Sequence, residues 1–285
     1  MVKIAVLSGK GGTGKTFVST NLANISSLNG NKTLLCDVDA EEPDSGLFFS
    51  LENKTEKNVL KKIPEVNLDK CNLCGLCVEN CRFSAIHVSK SKSMIFDTLC
   101  HGCGLCEKIC PEKAITEKDK IIGIINSYRI RDDFDFTEGV LNIGEPSAVP
   151  VIRELKKSID REYDFIFFDS PPGCSCSVVE TLRECDYALI VTEPTPFGIH
   201  DLNMAIQVAK DMSIPYSIIL NRWDENSDNY EKEIAGDFNR VILKIPFEKK
   251  IAEYYSSGLL VSEQEEKYAT LFENLYSELK KEVMP

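Results

Sequence analysis

Residues 8–16 read Ser-Gly-Lys-Gly-Gly-Thr-Gly-Lys-Thr, and this stretch limits what the chain can fold into more than any other. Before it, Lys3–Leu7 is a short apolar run suited to a fully buried parallel strand, and after it comes a helical pattern. Gly9, Gly14, Lys15 and Thr16 match G-x-x-x-x-G-K-[ST] in the strand, turn and helix setting that motif requires. Gly9, Gly11, Gly12 and Gly14 let the backbone N–H groups around Thr13 curl about phosphate oxygens, and the following helix aims the positive end of its dipole at them. Lys15 is placed to reach the β- and γ-phosphates, and the Thr16 hydroxyl to ligate Mg²⁺.

Thr33–Asp39, Tyr163–Asp169, Tyr187–Thr192, Tyr216–Asn221 and Val241–Ile245 are further strand candidates, most of them separated by helical-period segments. That alternation predicts an α/β fold with a mostly parallel sheet and helices on both faces. It is interrupted between about Leu60 and Leu141 by an internal repeat, in which the segments starting at Cys71 and Cys100 superpose at an offset of 29 residues. The expected organisation is a nucleotide domain made of residues 1–60 and 144–285, with residues 61–143 inserted. Within the insert, a small α+β unit is expected over about 64–118, and a strand pair with a charged turn over 120–143 returns the chain to the main sheet.

Eight of the twelve cysteines lie between Cys71 and Cys110, which points to metal ligation rather than a dispersed disulfide framework. Cys71, Cys74, Cys77 and Cys81 repeat the C-x2-C-x2-C-x3-C spacing of bacterial ferredoxins, as do Cys100, Cys103, Cys106 and Cys110, the last followed by Pro111. Four thiolates suit the soft irons of a [4Fe–4S] cube; zinc is the competing reading of C-x2-C pairs. By likeness to two-cluster ferredoxins, where the fourth cysteine of each run serves the other cluster, Cys71, Cys74, Cys77 and Cys110 would hold one cluster. Cys100, Cys103, Cys106 and Cys81 would hold the second. The first run departs from the pattern in ending Cys81-Arg82, which adds a positive charge near a cluster and leaves the ligand set intact.

A second lysine in the phosphate loop, Lys10, makes KGGTGK resemble the deviant Walker A motif of the MinD, Mrp, Soj and nitrogenase iron protein class of ATPases. Asp37-Val38-Asp39 and Asp169-Ser170-Pro171-Pro172-Gly173 resemble the switch I and the Walker B and switch II segments of that class. The resemblance implies an ATP-hydrolysing homodimer joined through its nucleotide faces. Lys10 would reach the partner's nucleotide, Asp39 would orient the attacking water, and Asp37 and Asp169 would hold Mg²⁺ with Thr16. It also implies an adenine site at Asn221, Arg222, Pro246 and Phe247. With the cysteine insert included, the whole chain resembles MinD-superfamily ATPases that carry a ferredoxin domain.

Cys174 and Cys176 follow the second switch, and two readings stay open: a third, intersubunit cluster or transient metal site, or thiols that merely lie nearby. Cys36 and Cys185 read as core residues, His101 as solvent-facing, and the C-terminal apolar spacing from Leu271 to Val283 as a packed helix. A formal net charge of −12 argues against a nucleic-acid binder or a polybasic membrane-surface protein, and no apolar run approaches a membrane span. A cytoplasmic protein without stable membrane insertion is expected, its thiols reduced or metal-bound. Three functions fit: an ATPase coupling nucleotide state to electron transfer with a redox partner, an iron–sulfur or metallocentre carrier, and a redox-sensing regulator.

Overall fold

The computed structural model describes residues 1–224, 234 and 240–284. Its strands in chain order are β1 (Val2–Leu7), β2 (Thr33–Asp37), β3 (Glu52–Val66), β4 (Ile86–Val88), β5 (Ser93–Ile95) and β6 (Ile115–Arg131), then β7 (Phe134–Leu141), β8 (Phe165–Asp169), β9 (Tyr187–Thr192), β10 (Tyr216–Trp223) and β11 (Val241–Pro246). Its helices are α1 (Lys15–Leu28), α2 (Leu76–Glu79), α3 (Leu105–Lys108), α4 (Val149–Lys157), α5 (Cys176–Leu182), α6 (Pro196–Asp211), α7 (Lys249–Ser256) and α8 (Glu266–Val283). Nine strands form one sheet in the order β11-β10-β9-β1-β8-β2-β7-β6-β3, every pair parallel except β7–β6 and β6–β3, so that β6 alone runs against the rest. This is the α/β fold expected.

Side chains alternate across β1 and set the two layers. Ile4 and Val6 pack with Phe17 and Leu22 of α1 and with Phe272 and Leu275 of α8, while Ala5 and Leu7 pack with α5 and α6 on the opposite face. Strands so enclosed need no polar face, which is why β1, β8 and β9 read as continuous apolar runs. Helix α8 buries Tyr268, Phe272, Leu275, Tyr276 and Leu279, the packed helix expected. Among the described residues no helix is long and apolar enough to cross a membrane.

The insert differs from expectation. β3 is a 15-residue strand paired antiparallel with β6, and β6 with β7, so all three extend the main sheet. The boundary expected at residue 60 therefore falls inside β3, and the returning strand pair starts at Ile115 rather than 120. Residues 52–58 are exposed, which left ENKTEKN without the alternation that marks a strand; inward positions begin only at Val59, Lys61 and Ile63. β2 also ends two residues earlier than expected, because the Asp37 carboxylate accepts the Asp39 N–H at 3.1 Å and turns the chain. Between β3 and β6 hangs the cysteine unit, with α2, α3 and the β4–β5 hairpin.

Phe272 is fully buried against Phe17. Phe272→Ala should cost about 3–5 kcal/mol in denaturant unfolding; a loss under about 1 kcal/mol would show that α8 does not belong to this core.

Candidate functional site

The phosphate loop joins β1 to α1 at the C-terminal edge of the sheet, where parallel strands leave a crevice. Gly12 and Gly14 adopt φ of 77° and 98°, a left-handed backbone that glycine enters without strain. A Cβ on Gly14 would stand 2.3 Å from the Asn221 amide nitrogen, whereas one on Gly11 or Gly12 would meet nothing within 4 Å. One wall of the loop is thus closed by protein and the other opens as a concave cradle of backbone amides. The buried Thr13 Oγ1 has no partner in the protein. Such a cradle at the start of a 14-residue helix fits an anion of phosphate size.

Beside the loop, β2 and β8 are adjacent and in register, with Asp37 opposite Asp169. A third carboxylate, Asp44, joins them, and one oxygen from each lies within 4.8 Å of the others. Asp37 accepts the N–H groups of Asp44 and Ser45 at 2.9 Å each, Ser45 Oγ donates to Asp169 at 2.8 Å, and Thr16 Oγ1 donates to Asp44 at 3.0 Å. Asp169 Oδ1 is buried without a partner. Burial, and then the neighbouring Asp169, holds the Asp37 carboxyl well above its usual range, and burial pushes Asp169 up to about 6. Asp39 is pushed up to about 7, again by burial, against the opposing pull of Lys15. Three oxygens, a hydroxyl and an orphaned carboxylate atom are the hard donor set of Mg²⁺. Asp44 was missed in the sequence because it stands seven residues beyond Asp37 in the acidic run DVDAEEPD and only folding brings it back.

Lys10, expected to cross a dimer, pairs within its own chain with Glu193 at 3.5 Å, and Glu193 also binds Arg222. Glu193, just past β9, carried no motif in the sequence. Asn221 Nδ2 donates to the Thr13 carbonyl at 2.8 Å, and its Oδ1 accepts the Arg222 N–H at 2.9 Å. Its amide therefore braces the phosphate loop. Pro246 ends β11, and Phe247, 69% exposed, hangs beyond it with its N–H on the Trp223 carbonyl.

The two cysteine runs fold alike. Positive φ recurs at Leu73 and Gly102, Gly75 and Gly104, and Ser84 and Lys113, each pair separated by the offset of the repeat. The Ala85 and Ala114 N–H groups donate to Cys81 Sγ and Cys110 Sγ, both at 3.3 Å. A cavity of about 30 Å³ is lined by Cys71, Cys74, Cys77 and Cys110. A second, of about 250 Å³, is lined by Cys81, Cys100, Cys103 and Cys106, with Cys77 also on its wall. Burial pushes the Cys106 thiol up to about 11, so a metal's charge is needed to hold it as thiolate. Among the described residues no three of these sulfurs lie within 4.8 Å of one another. Tetrahedral zinc, with Zn–S near 2.3 Å, needs its four sulfurs about 3.8 Å apart. His101 is exposed and stacks on Phe83 at 3.9 Å. Cys36 is buried and Cys185 half-buried in the core layer beneath α4; Cys174 is half-buried and Cys176 exposed at the start of α5.

A family described as AAA domain matches residues 1–216. The chain belongs to this family. An uncharacterised protein of Methanocaldococcus jannaschii is 33% identical over 261 residues, 90% of each chain. An iron–sulfur cluster carrier protein of the same organism is 26% identical over 241 residues, 84% of this chain and 65% of that one. Among solved structures, the fold is similar to the cell division ATPase MinD of Pyrococcus furiosus, with a TM-score of 0.60 and 20% identity over 98% of both chains. The chain thus shares its fold with MinD, in keeping with the resemblance that the KGGTGK loop suggested.

Because the folded Asp169 pKa lies above that of an unfolded carboxyl, the cation-free protein gains a proton on folding and loses stability as pH rises through about 6. Mg²⁺ takes the place of those protons, so it should raise the melting temperature more at about pH 7.5 than at about pH 5.5. Asp44→Asn should weaken Mg²⁺-dependent nucleotide binding by about tenfold. A Mg²⁺ effect indifferent to both pH and Asp44 would contradict the three-carboxylate site.

Proposed function

We propose that this protein is an iron–sulfur ATPase in which nucleotide state governs the exchange of electrons between two resident [4Fe–4S] clusters and a protein partner. One observation supports the reading: both cysteine cavities are lined from both runs, one by Cys71, Cys74 and Cys77 with Cys110, the other by Cys100, Cys103 and Cys106 with Cys81 and Cys77. A cluster held by both runs cannot leave without opening the unit, which suits retention more than delivery. When bound, such clusters supply one-electron chemistry. The chain's part is to hold them, through Cys71, Cys74, Cys77 and Cys110 at one site and Cys81, Cys100, Cys103 and Cys106 at the other.

At the nucleotide site the proposed reaction is phosphoryl transfer from ATP to water, which needs positioning and charge neutralisation more than covalent chemistry. Lys15 and the amides of Gly11 to Thr16 would bind the phosphates, and Asp37, Asp44, Asp169 and Thr16 would hold Mg²⁺. Asp39, with its pKa raised to about 7, would orient the attacking water. Arg222, Pro246 and Phe247 would face the base, with Asn221 bracing the loop behind it. In a nucleotide-joined homodimer, Lys10 would exchange Glu193 for the partner's phosphates.

A second reading is favoured by a specific observation. The carrier protein of Methanocaldococcus jannaschii is among the relatives, and Cys176 is exposed beside the second switch, where a transiently bound cluster could dock. On that reading the chain is a metallocentre carrier, and Cys174 and Cys176 are its transfer ligands.

Anaerobic purification should yield about eight irons per chain. Reduced protein should pass electrons to an acceptor faster with ATP than without, and Cys174→Ser with Cys176→Ser should leave that intact. An ATP-dependent loss of iron to an apo-acceptor, abolished by the same pair of changes, would decide for the carrier; iron near one zinc-like equivalent would sink both.

A further inference from the structure

The cysteine unit touches the sheet through more than its two covalent strands. Lys61 of β3 is turned inward, and its side chain and that of Glu145 are each only 5% exposed, with Lys61 Nζ and Glu145 Oε2 2.6 Å apart. Lys120 of β6 reaches the other Glu145 oxygen at 2.8 Å. Lys61 also donates to the backbone carbonyl of Asp97 at 3.3 Å, and Lys120 stands 3.6 Å from the Asp97 carboxylate. Asp97 lies three residues before Cys100, so a buried network joins the second cysteine set to the segment between β7 and α4.

Two details give the network a direction. Where the first repeat has Leu73, the second has Gly102, and a Cβ there would lie 2.8 Å from the Lys62 carbonyl oxygen and 2.9 Å from Lys61 Cγ. The loop between Cys100 and Cys103 is thus seated on the Lys62 carbonyl and the Lys61 stem, whereas Leu73 at the matching position is 40% exposed. At the other end, Glu145 follows the end of β7, where the Leu141 N–H donates to the Ala40 carbonyl at 2.7 Å. Ala40 is the residue after Asp39, in the segment that carries the Mg²⁺ and water-orienting carboxylates. A shift of that segment on nucleotide binding would reach Leu141 through this hydrogen bond, and Glu145 stands four residues further on.

Two lysines and two carboxylates, the buried Glu145 and the part-exposed Asp97, balance one another here. Burial makes such a network costly to break by halves: removing one member leaves its partner charged and unpaired in a low dielectric. It behaves as a discrete contact rather than a gradual one, which is what transmission between two sites requires.

We propose that Lys61, held by Glu145 and Lys120, is a positioning residue for the second cysteine set, and that this network is the element through which nucleotide state reaches that set. The proposal rests on the reading that the cysteine unit responds to nucleotide, and the test separates the two. Hydrogen exchange of residues 97–106 is followed in the full chain as isolated, with and without Mg²⁺ and a non-hydrolysable ATP analogue. In the unaltered protein the nucleotide should change exchange there by at least about fivefold. Glu145→Gln should abolish that change while still binding the analogue, and Lys120→Met, at a part-exposed position, should reduce it even if the first variant folds poorly. No change in the unaltered protein would overturn the nucleotide-response reading itself. An unaltered response in both variants would overturn the network's role and leave that reading standing.

Discussion

Three carboxylates within 4.8 Å, two of them buried, set the terms for the rest of the molecule. Like charges at that distance repel strongly, and burial adds to the cost of ionising any of them, which is why Asp37 and Asp169 sit above their ordinary range. The fold nevertheless forces them together. Parallel pairing of β2 with β8 sets Asp37 against Asp169, and the turn after β2 is built from hydrogen bonds that Asp37 itself accepts. Backbone amides and the Ser45 hydroxyl satisfy some of the oxygens, but Asp169 Oδ1 is left over. A divalent cation is the partner that would relieve both the repulsion and the orphaned atom. The site is therefore organised ahead of its ligand, and the strands that organise it are the central ones of the sheet.

How much of this was legible in the sequence follows from where the information is local. The strands around the phosphate loop announce themselves because both faces are covered, so each is a run of apolar residues closed by Gly or Asp. β3 did not, since its first half is exposed on both faces and reads as ENKTEKN, a composition that suits a loop as well as an edge strand. The phosphate-loop residues and the paired cysteines were readable because their chemistry fixes their spacing along the chain. Asp44 and Glu193 were not, because each reaches its site through a turn or a strand end that no spacing rule encodes. Asn221 was expected at an adenine site; its amide donates to the loop carbonyl of Thr13, a contact visible only once β10 lies beside β9.

The cysteine unit solves a different problem. Two short repeats of this size cannot bury enough apolar surface to be stable alone. Its own apolar cluster is only Ile63, Ala85 and Cys100, with Cys81 against it, and two of these four are thiols. Each repeat is braced internally by the Ala85 or Ala114 hydrogen bond to sulfur, the long β3–β6 ribbon supports both ends, and on the proposed reading the exchange of fourth ligands would fasten one repeat to the other. On the proposed reading, metal binding and folding would be the same event for this part of the chain. The nucleotide domain, with its large enclosed sheet, carries no such dependence.

The departures from symmetry between the repeats tell which one faces the sheet. The backbone repeats faithfully, down to the positive φ at corresponding positions, so differences in side chain report differences in surroundings. Leu73 is 40% exposed, whereas its counterpart Gly102 has been stripped of a side chain because the Lys62 carbonyl occupies that space. His101, one residue before, stacks on Phe83 of the first repeat, tying the two runs together beside the second cavity. The second cysteine set is thus the inner one, locked to β3 and reached from the nucleotide site through Leu141 and Glu145. The first set lies at the tip of the β3–β6 ribbon, its cavity lined by Val66 and Ile115, with Leu73 and Leu76 exposed around it. An arrangement with one set fastened to the switch side and the other presented outward gives the unit a polarity. Nucleotide chemistry can act on the inner set, and a partner can approach the outer one, without either event having to pass through the same surface.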